Sequence, residues 1–411
     1  MQVTFTKRFK QTALFSTSAL ALAVASASHG YDIEVGDTDI SIYGYAKLDL
    51  IYDVDSDLGD KSVGYGNIAL DGDSSSTGHT GIHAAESRIG FSTATPMAGS
   101  ELKTTIEGDF YGGGADSNAA EFRLRQAFGE WNGILAGQTW TNFASFIPGT
   151  PTIDFTGPGG RGILDRQAQL RYTTGGFSVA VEDPDKLGGN VNANISSDTI
   201  TGYEPDGTPI TTTSSSSAAK NKVPDLTARY EGASGNFSYA ASGVMRYLEY
   251  DTNNNADADA SWSDDTATGW GIALAGALEV TEDLTVRAGV SHGDGIGGYV
   301  DSNPYQAPAY VDSNGNLETV EATGGTVGAS LKAGPGAFNL VYSVATADLD
   351  DAEVADSTND TFESVWANYI WSPASTQNIA YGVEVGQHSR ETVGGDDGDA
   401  IRVQGMVKYS F

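Results

Sequence analysis

Arginines and carboxylates interleave through the first part of this chain. Arg88, Arg123, Arg125, Arg161, Arg166 and Arg171 fall among Glu107, Asp109, Asp154 and Asp165, with Lys47 upstream and Lys103 between. A guanidinium stays charged and offers a planar fork that fits a carboxylate. Basic side chains gathered on one wall, with acids facing them, create a transverse field that lowers the barrier for an anion passing between them. The competing role is structural: the same cations pair with Glu86, Glu107, Asp109 or Glu182 and anchor a loop. Covalent catalysis finds no footing. Five histidines stand at 29, 79, 83, 292 and 388 without metal-site or His–carboxylate spacing, and His292 and His388 fall at predicted loop edges. The Gly-rich run 293–298 resembles a nucleotide loop but precedes no helix pattern. The expectation is a non-enzyme with no catalytic residue and no metal ligand set.

These charges need elements that hold them in rows. Residues 121–131, EFRLRQAFGEW, set Phe122, Leu124 and Phe128 on one face against Arg123 and Arg125 on the other. Asn132-Gly133 signals a tight hairpin. Residues 134–140 return, and a Gly/Pro-punctuated loop then carries Asp154, Arg161, Asp165 and Arg166. Charge on one face and grease on the other require water on one side and lipid on the other, as in a transmembrane β-barrel with a charged lumen. Residues 40–54 repeat the pattern, with Ile40, Ile42, Leu48 and Leu50 opposite Tyr43, Tyr45, Lys47 and Asp49. That run is far longer than the ~5–6 residues of a typical soluble strand and long enough to cross a tilted bilayer path. Parity turns Arg88, Arg123, Arg125, Arg171, Lys47, Lys103, Glu86, Glu107 and Asp109 inward; strands about 4.8 Å apart make the cations a ladder. Arg166 is out of step with Arg171.

Further strands are predicted near 85–94, 101–110, 170–172, 177–181, 225–231, 236–248, 269–280, 283–291, 325–334, 337–345, 362–371, 378–388 and 400–411. Short turns at 96–100, 132–133, 175–176, 232–235, 281–283, 334–336 and 372–377 alternate with long polar segments such as 183–224, 249–268, 292–324, 346–361 and 389–399. Sixteen strands, seven short turns and eight long loops predict an all-β, antiparallel transmembrane barrel with short periplasmic turns and long external loops. A sandwich or propeller gives no reason for every second connection to be long. Two aromatic sets, Tyr43/Tyr45/Tyr52 and Trp366/Tyr369/Trp371, are assigned to membrane-interface girdles rather than to a lumenal sugar slide.

Residues 1–27 read as a secretory signal peptide: Lys7, Arg8 and Lys10, an apolar stretch at 12–24, then Ala25-Ser26-Ala27. A single domain, 28–411, remains. The whole chain carries a net charge of −32; without the leader 19 basic residues face 54 acidic ones, a net of −35. Such acidity argues against nucleic-acid binding, and 10% aromatic residues argue against disorder. With no cysteine, no disulfide contributes. After the leader no apolar run of about 18 residues appears, so no transmembrane helix is predicted. Much of the acid falls in predicted external loops at 53–60, 71–73, 251–265 and 348–356, where it repels anions or holds screening cations. Asp53-x-Asp55-x-Asp57 has calcium-like spacing without the Gly and closing Glu of a full calcium loop. Weak calcium binding there stands against a plain solvated acidic face; no other cofactor is expected.

The last strand sets Ile401, Val403, Gly405, Val407, Tyr409 and Phe411 against Arg402, Gln404 and Lys408. Together with ESRIGF (86–91), TIEGDFYG (105–112), FRLRQAFGEW (122–131) and LAGQTWTNF (135–143), it makes the chain resemble Gram-negative porins, and among them the DcaP-like outer-membrane porins. The resemblance implies a homotrimer of sixteen-stranded barrels in the outer membrane, surrounded by lipid and lipopolysaccharide. It implies a third long loop folded into each lumen, carrying Asp154, Arg161, Asp165 and Arg166, and a preference for small anionic solutes. Tyr409 and Phe411 resemble the terminal signal read by the barrel-assembly machinery. Two departures stand out: Met406 occupies the place of that signal's glycine, and the lead before the first strand is too short for the family's helical extension. The expected function is passive diffusion of small hydrophilic solutes, with carboxylate-bearing ones favoured. The alternatives are a cation-preferring porin governed by its acidic loops, and a plugged barrel with a structural or adhesive role.

Overall fold

Alternation along each strand becomes a wall with two unlike faces. The computed structural model describes residues 30–113, 120–203, 208–253, 255, 261–350, 352–373 and 376–411; the leader assigned to residues 1–27 lies outside them. Sixteen antiparallel strands form the wall. They are β1 (Thr38–Asp53), β2 (Arg88–Met97), β3 (Ser100–Gly112), β4 (Glu121–Trp131), β5 (Ile134–Trp140), β6 (Arg166–Thr174), β7 (Phe177–Glu182) and β8 (Asp225–Ser234). The second half comprises β9 (Phe237–Asp251), β10 (Asp264–Glu279), β11 (Leu284–Asp294), β12 (Glu321–Ala333), β13 (Gly336–Ala347), β14 (Asn359–Trp371), β15 (Ile379–Thr392) and β16 (Asp397–Ser410). Each pairs with the next, and β16 pairs with β1 from Tyr45↔Ser410 to Asp53↔Arg402, so the sheet closes on itself and leaves no edge across the wall. Among the described residues no helix is long and apolar enough to cross a membrane.

Large apolar side chains stand exposed around the outer face: Phe122 57%, Leu170 53%, Leu340 56% and Val383 53%. In water such a continuous band would be a liability; in a bilayer it is the solvent contact. The hairpin signal at Asn132-Gly133 is realised with both residues at positive φ (50° and 78°), as a two-residue primed turn requires.

Several local expectations change. The polar lead becomes a strand, Tyr31–Val35, paired with Thr38–Ile42 where β1 runs past the C-terminal residue. The second wall strand starts at Arg88, so Glu86 precedes it. The connection of β15 to β16 is only 393–396, because both strands rise above the wall. The long segments 183–224 and 292–324 contain hairpins, Asn194–Tyr203 with Pro209–Ser217 and Ala309–Val311 with Leu317–Thr319.

The largest correction is a β-bulge in β4. Glu107 pairs with Gln126 and Gly108 with Leu124, leaving Arg125 as the extra residue. A bulge places two successive side chains on one face, so Arg125 and Gln126 both turn inward. Phe128, in register with Thr105, follows them into the lumen instead of sharing the lipid face with Phe122 and Leu124. The girdle assignment also fails in part. Tyr43 donates to Glu107 (3.2 Å), Tyr45 lies beneath Arg88 (5.3 Å to the ring centre), and Trp366 is buried against His388.

Candidate constriction site

Residues 141–165 leave the end of β5 and cross the lumen. They are held by side chains that the wall points inward. At the start, Glu182 on β7 accepts from Thr141 Oγ1 (2.6 Å), Asn142 N (2.7 Å) and Thr227 Oγ1 (2.8 Å), while Ser242 Oγ donates to the Phe143 carbonyl (2.7 Å). Phe143 then packs with Val244, Ile296, Tyr299 and Val300, a small core shared with the segment between β11 and β12.

The tip docks on the opposite wall. Ile153 N and Asp154 N donate to Glu384 of β15 (2.8 and 2.9 Å), and Asn368 of β14 bridges Glu384 and the Pro151 carbonyl (2.8 and 2.9 Å). The Asp154 carboxylate accepts from Arg402 (3.1 Å), whose other donors reach both oxygens of Asp53 (2.6 and 2.8 Å). Lys47 joins from β1, binding Glu86 (2.7 Å), Asp49 (3.0 Å) and the Ile153 carbonyl (3.0 Å). All seven charged groups are buried. On the return limb, Gly160 lies directly on Gly324 and Gly325 of β12, where an added Cβ at Gly324 would come within 2.5 Å of the Gly160 Cα. Two Gly–Gly pairs allow that approach. Arg161 then meets Asp301 (3.3 Å), whose carboxyl is pushed up by burial while the guanidinium pulls it back.

The arginine ladder stands on β2–β4. Arg125 binds Glu107 (2.9 Å) and Asp109 (2.7 Å); Arg123 grips Asp109 with two donors (3.0 and 2.9 Å); Arg88 lies 3.5 Å from Glu107. Phe155 of the loop packs over both Arg123 and Arg125 (5.6 Å each) and stacks on Tyr111. Loop and ladder thus meet across the lumen, and three guanidinium groups share two carboxylates.

The remaining predicted residues scatter. Arg166 is the first residue of β6 rather than part of the loop; it lies on the Trp140 ring (4.7 Å) and pairs with Asp165 (2.9 Å). Arg171 and Arg229 face the lumen on the periplasmic side of the loop, and among the described residues Arg171 has no ion-pair partner. Lys103 sits near the periplasmic turn beside Glu101, its side chain 59% exposed and apart from the loop. Tyr409 faces outward, and Phe411 exchanges backbone hydrogen bonds with Gly44 at the seam. Asp53, Asp55 and Asp57 accept from Arg402, Ile401 N and Gly59 N respectively, and among the described residues no carboxylate–histidine cluster is arranged to hold a metal. Sequence reasoning missed Glu384, Asn368 and Arg402 as anchors; the available signal was an inward-facing charge or amide within an otherwise apolar strand.

Residues 11–194 match the DcaP outer membrane protein family. The sequence matches none of the curated proteins. The structure is similar to the outer membrane channel DcaP of Acinetobacter baumannii, at 27% identity over 93% of this chain and 99% of that one, with a TM-score of 0.71. It shares its fold with an anion-selective porin from Comamonas acidovorans (12% identity, 91% and 100% covered, TM-score 0.53). The same holds for in-vitro-folded OmpT of Vibrio cholerae in its trimer form (12% identity, 91% and 99% covered, TM-score 0.51). A closed sixteen-stranded wall, a loop folded across its lumen and this full-length likeness lead to one assignment: the chain is a channel-type barrel of the Gram-negative outer membrane, its first part similar to the DcaP outer membrane protein family.

Proposed function

We propose that this barrel passes small hydrophilic solutes by passive diffusion and favours anionic, carboxylate-bearing ones. The observation that carries the reading is an imbalance on one lumen wall. Of five inward arginines, Arg88, Arg123, Arg125 and Arg229 share three carboxylates, Glu107, Asp109 and Glu231, and among the described residues Arg171 pairs with none. A guanidinium left without its own carboxylate is a transient site for a passing one. The role is transport rather than catalysis. The test is the reversal potential of bilayer-inserted protein in a KCl gradient. An anion sign is expected; a cation sign hands selectivity to the acidic loops, and a silent bilayer supports the plugged barrel.

A homotrimer fits the outer face. On β2 and β3 hydroxyls replace large apolar groups, with Thr93 paired to Thr104 (2.6 Å), and Gln138 on β5 caps the carbonyls of Leu124 and Arg125 (3.1 and 3.2 Å). Such a face suits a second copy better than lipid, with lipopolysaccharide meeting the apolar remainder and the assembly machinery reading the terminal strand. A cysteine pair at Thr93 and Ala136 that crosslinks only to dimers, or not at all, sinks the trimer.

A further inference from the structure

We infer a binding subsite for a small monocarboxylate with a compact apolar body, in the chamber between the inserted loop and the seam of the barrel. This rests on the channel reading above and names a narrower ligand within it. Between residues 149–158 and the inward side chains of the seam lies a cavity of about 320 Å³, at the small end of the roughly 300–1,000 Å³ typical of small-molecule sites.

Its charges are unequal in availability. Lys47 is committed to Asp49 and Glu86, Asp154 to Arg402, and Arg161 to Asp301. Lys408 also lines the chamber, directly across from Lys47 in the β1–β16 pair. Among the described residues it has no hydrogen-bond or ion-pair partner, and its ammonium rests 5.4 Å from the Tyr45 ring centre. One cation is therefore open to a carboxylate.

The chamber is also greasy where a porin lumen should be wet. Ile370 and Met406 point inward and are already covered by Ile153 of the loop, while the half-buried rings of Phe146 and Phe155 leave apolar surface open in the lining. Half-buried aromatic rings lining a water-filled lumen have a use if the ligand brings an apolar body to cover them. A second carboxylate has no free cation to meet; it would face Glu86 or Asp154. The geometry thus selects one charge and one apolar body.

The test uses benzoate as probe and succinate as its comparison, titrated calorimetrically into the purified full-length barrel in detergent and applied as blockers of ionic current. Benzoate is expected to bind more tightly than succinate, with Lys408→Gln weakening it about tenfold, the worth of one charge-assisted hydrogen bond. Lys408→Arg, which keeps the charge, should retain binding. Equal affinities for wild type and Lys408→Gln, equal weakening by Gln and Arg, or succinate binding at least as tightly as benzoate overturns the proposal. Binding in detergent by a barrel that carries no current sinks the channel reading and leaves the subsite. Anion-selective current without benzoate binding sinks the subsite alone.

Discussion

The seam cluster and the arginine ladder use the same chemistry to opposite ends. At the seam, Lys47 and Arg402 face four carboxylates, Asp49, Asp53, Glu86 and Asp154, and every member is buried. On the ladder, Arg88, Arg123 and Arg125 share Glu107 and Asp109, and the Arg88 and Arg123 side chains remain 20% and 33% exposed. A buried cation surrounded by excess acid has no capacity left for a solute; it fixes a loop. A partly exposed cation in excess over acid can still bind an anion in the water beside it. Burial and the ratio of charges, not residue type, separate anchor from filter.

The largest test of that separation is Arg402→Ala. It leaves Asp53 and Asp154 buried without their cation, and breaking one partner of a buried pair costs about 3–5 kcal/mol. Unfolding in urea should move to markedly lower denaturant, and the loop tip should lose its seat. A loss under about 1 kcal/mol, the range of exposed pairs, would erase the distinction from the anchor side.

Glu384→Gln comes next. The carboxylate receives two backbone donors from the loop tip and one from Asn368. An amide can accept at only one of its two heads, so at least one buried N–H loses its acceptor, at about 1–3 kcal/mol. Global unfolding should shift modestly, while single-channel conductance and its noise rise as the tip detaches. Unchanged conductance and noise would mean the loop is held elsewhere, chiefly by its Gly–Gly contact with β12.

Much of this was legible in the residues, and the reason is period two. Lipid outside and water inside impose alternation on every strand, and short turns on one rim impose a second rhythm, so sixteen strands could be counted. What failed were features that break the period or depend on distant contacts. The bulge at Arg125 shifts the parity of everything after it, which is why Phe128 was assigned to the wrong face. Arg166 was given to the loop because β6 begins earlier than its apolar pattern. Glu384 and Arg402 looked like ordinary lumen residues, since their partner at the loop tip lies some 230 positions or more away in sequence. The cations were visible; their carboxylate neighbours, and so their net effect, needed the register.

The smallest expected effect is also the sharpest test. Arg123→Ala removes the most exposed rung while Arg88 and Arg125 continue to neutralise Glu107 and Asp109. Because Arg123 is partly in water, its pair with Asp109 contributes about 1 kcal/mol or less to stability. Unfolding should scarcely move. Selectivity should, because the ladder falls from three guanidiniums over two carboxylates to an even balance, and the reversal potential should shift toward cations. Adding Arg125→Ala should shift it further, now with a measurable stability loss from two undercompensated acids. If Arg123→Ala changes stability but not the reversal potential, the ladder is an anchor of the same kind as the seam, and anion preference must then come from Arg171 on the periplasmic side of the loop and Lys408 in the chamber at the seam.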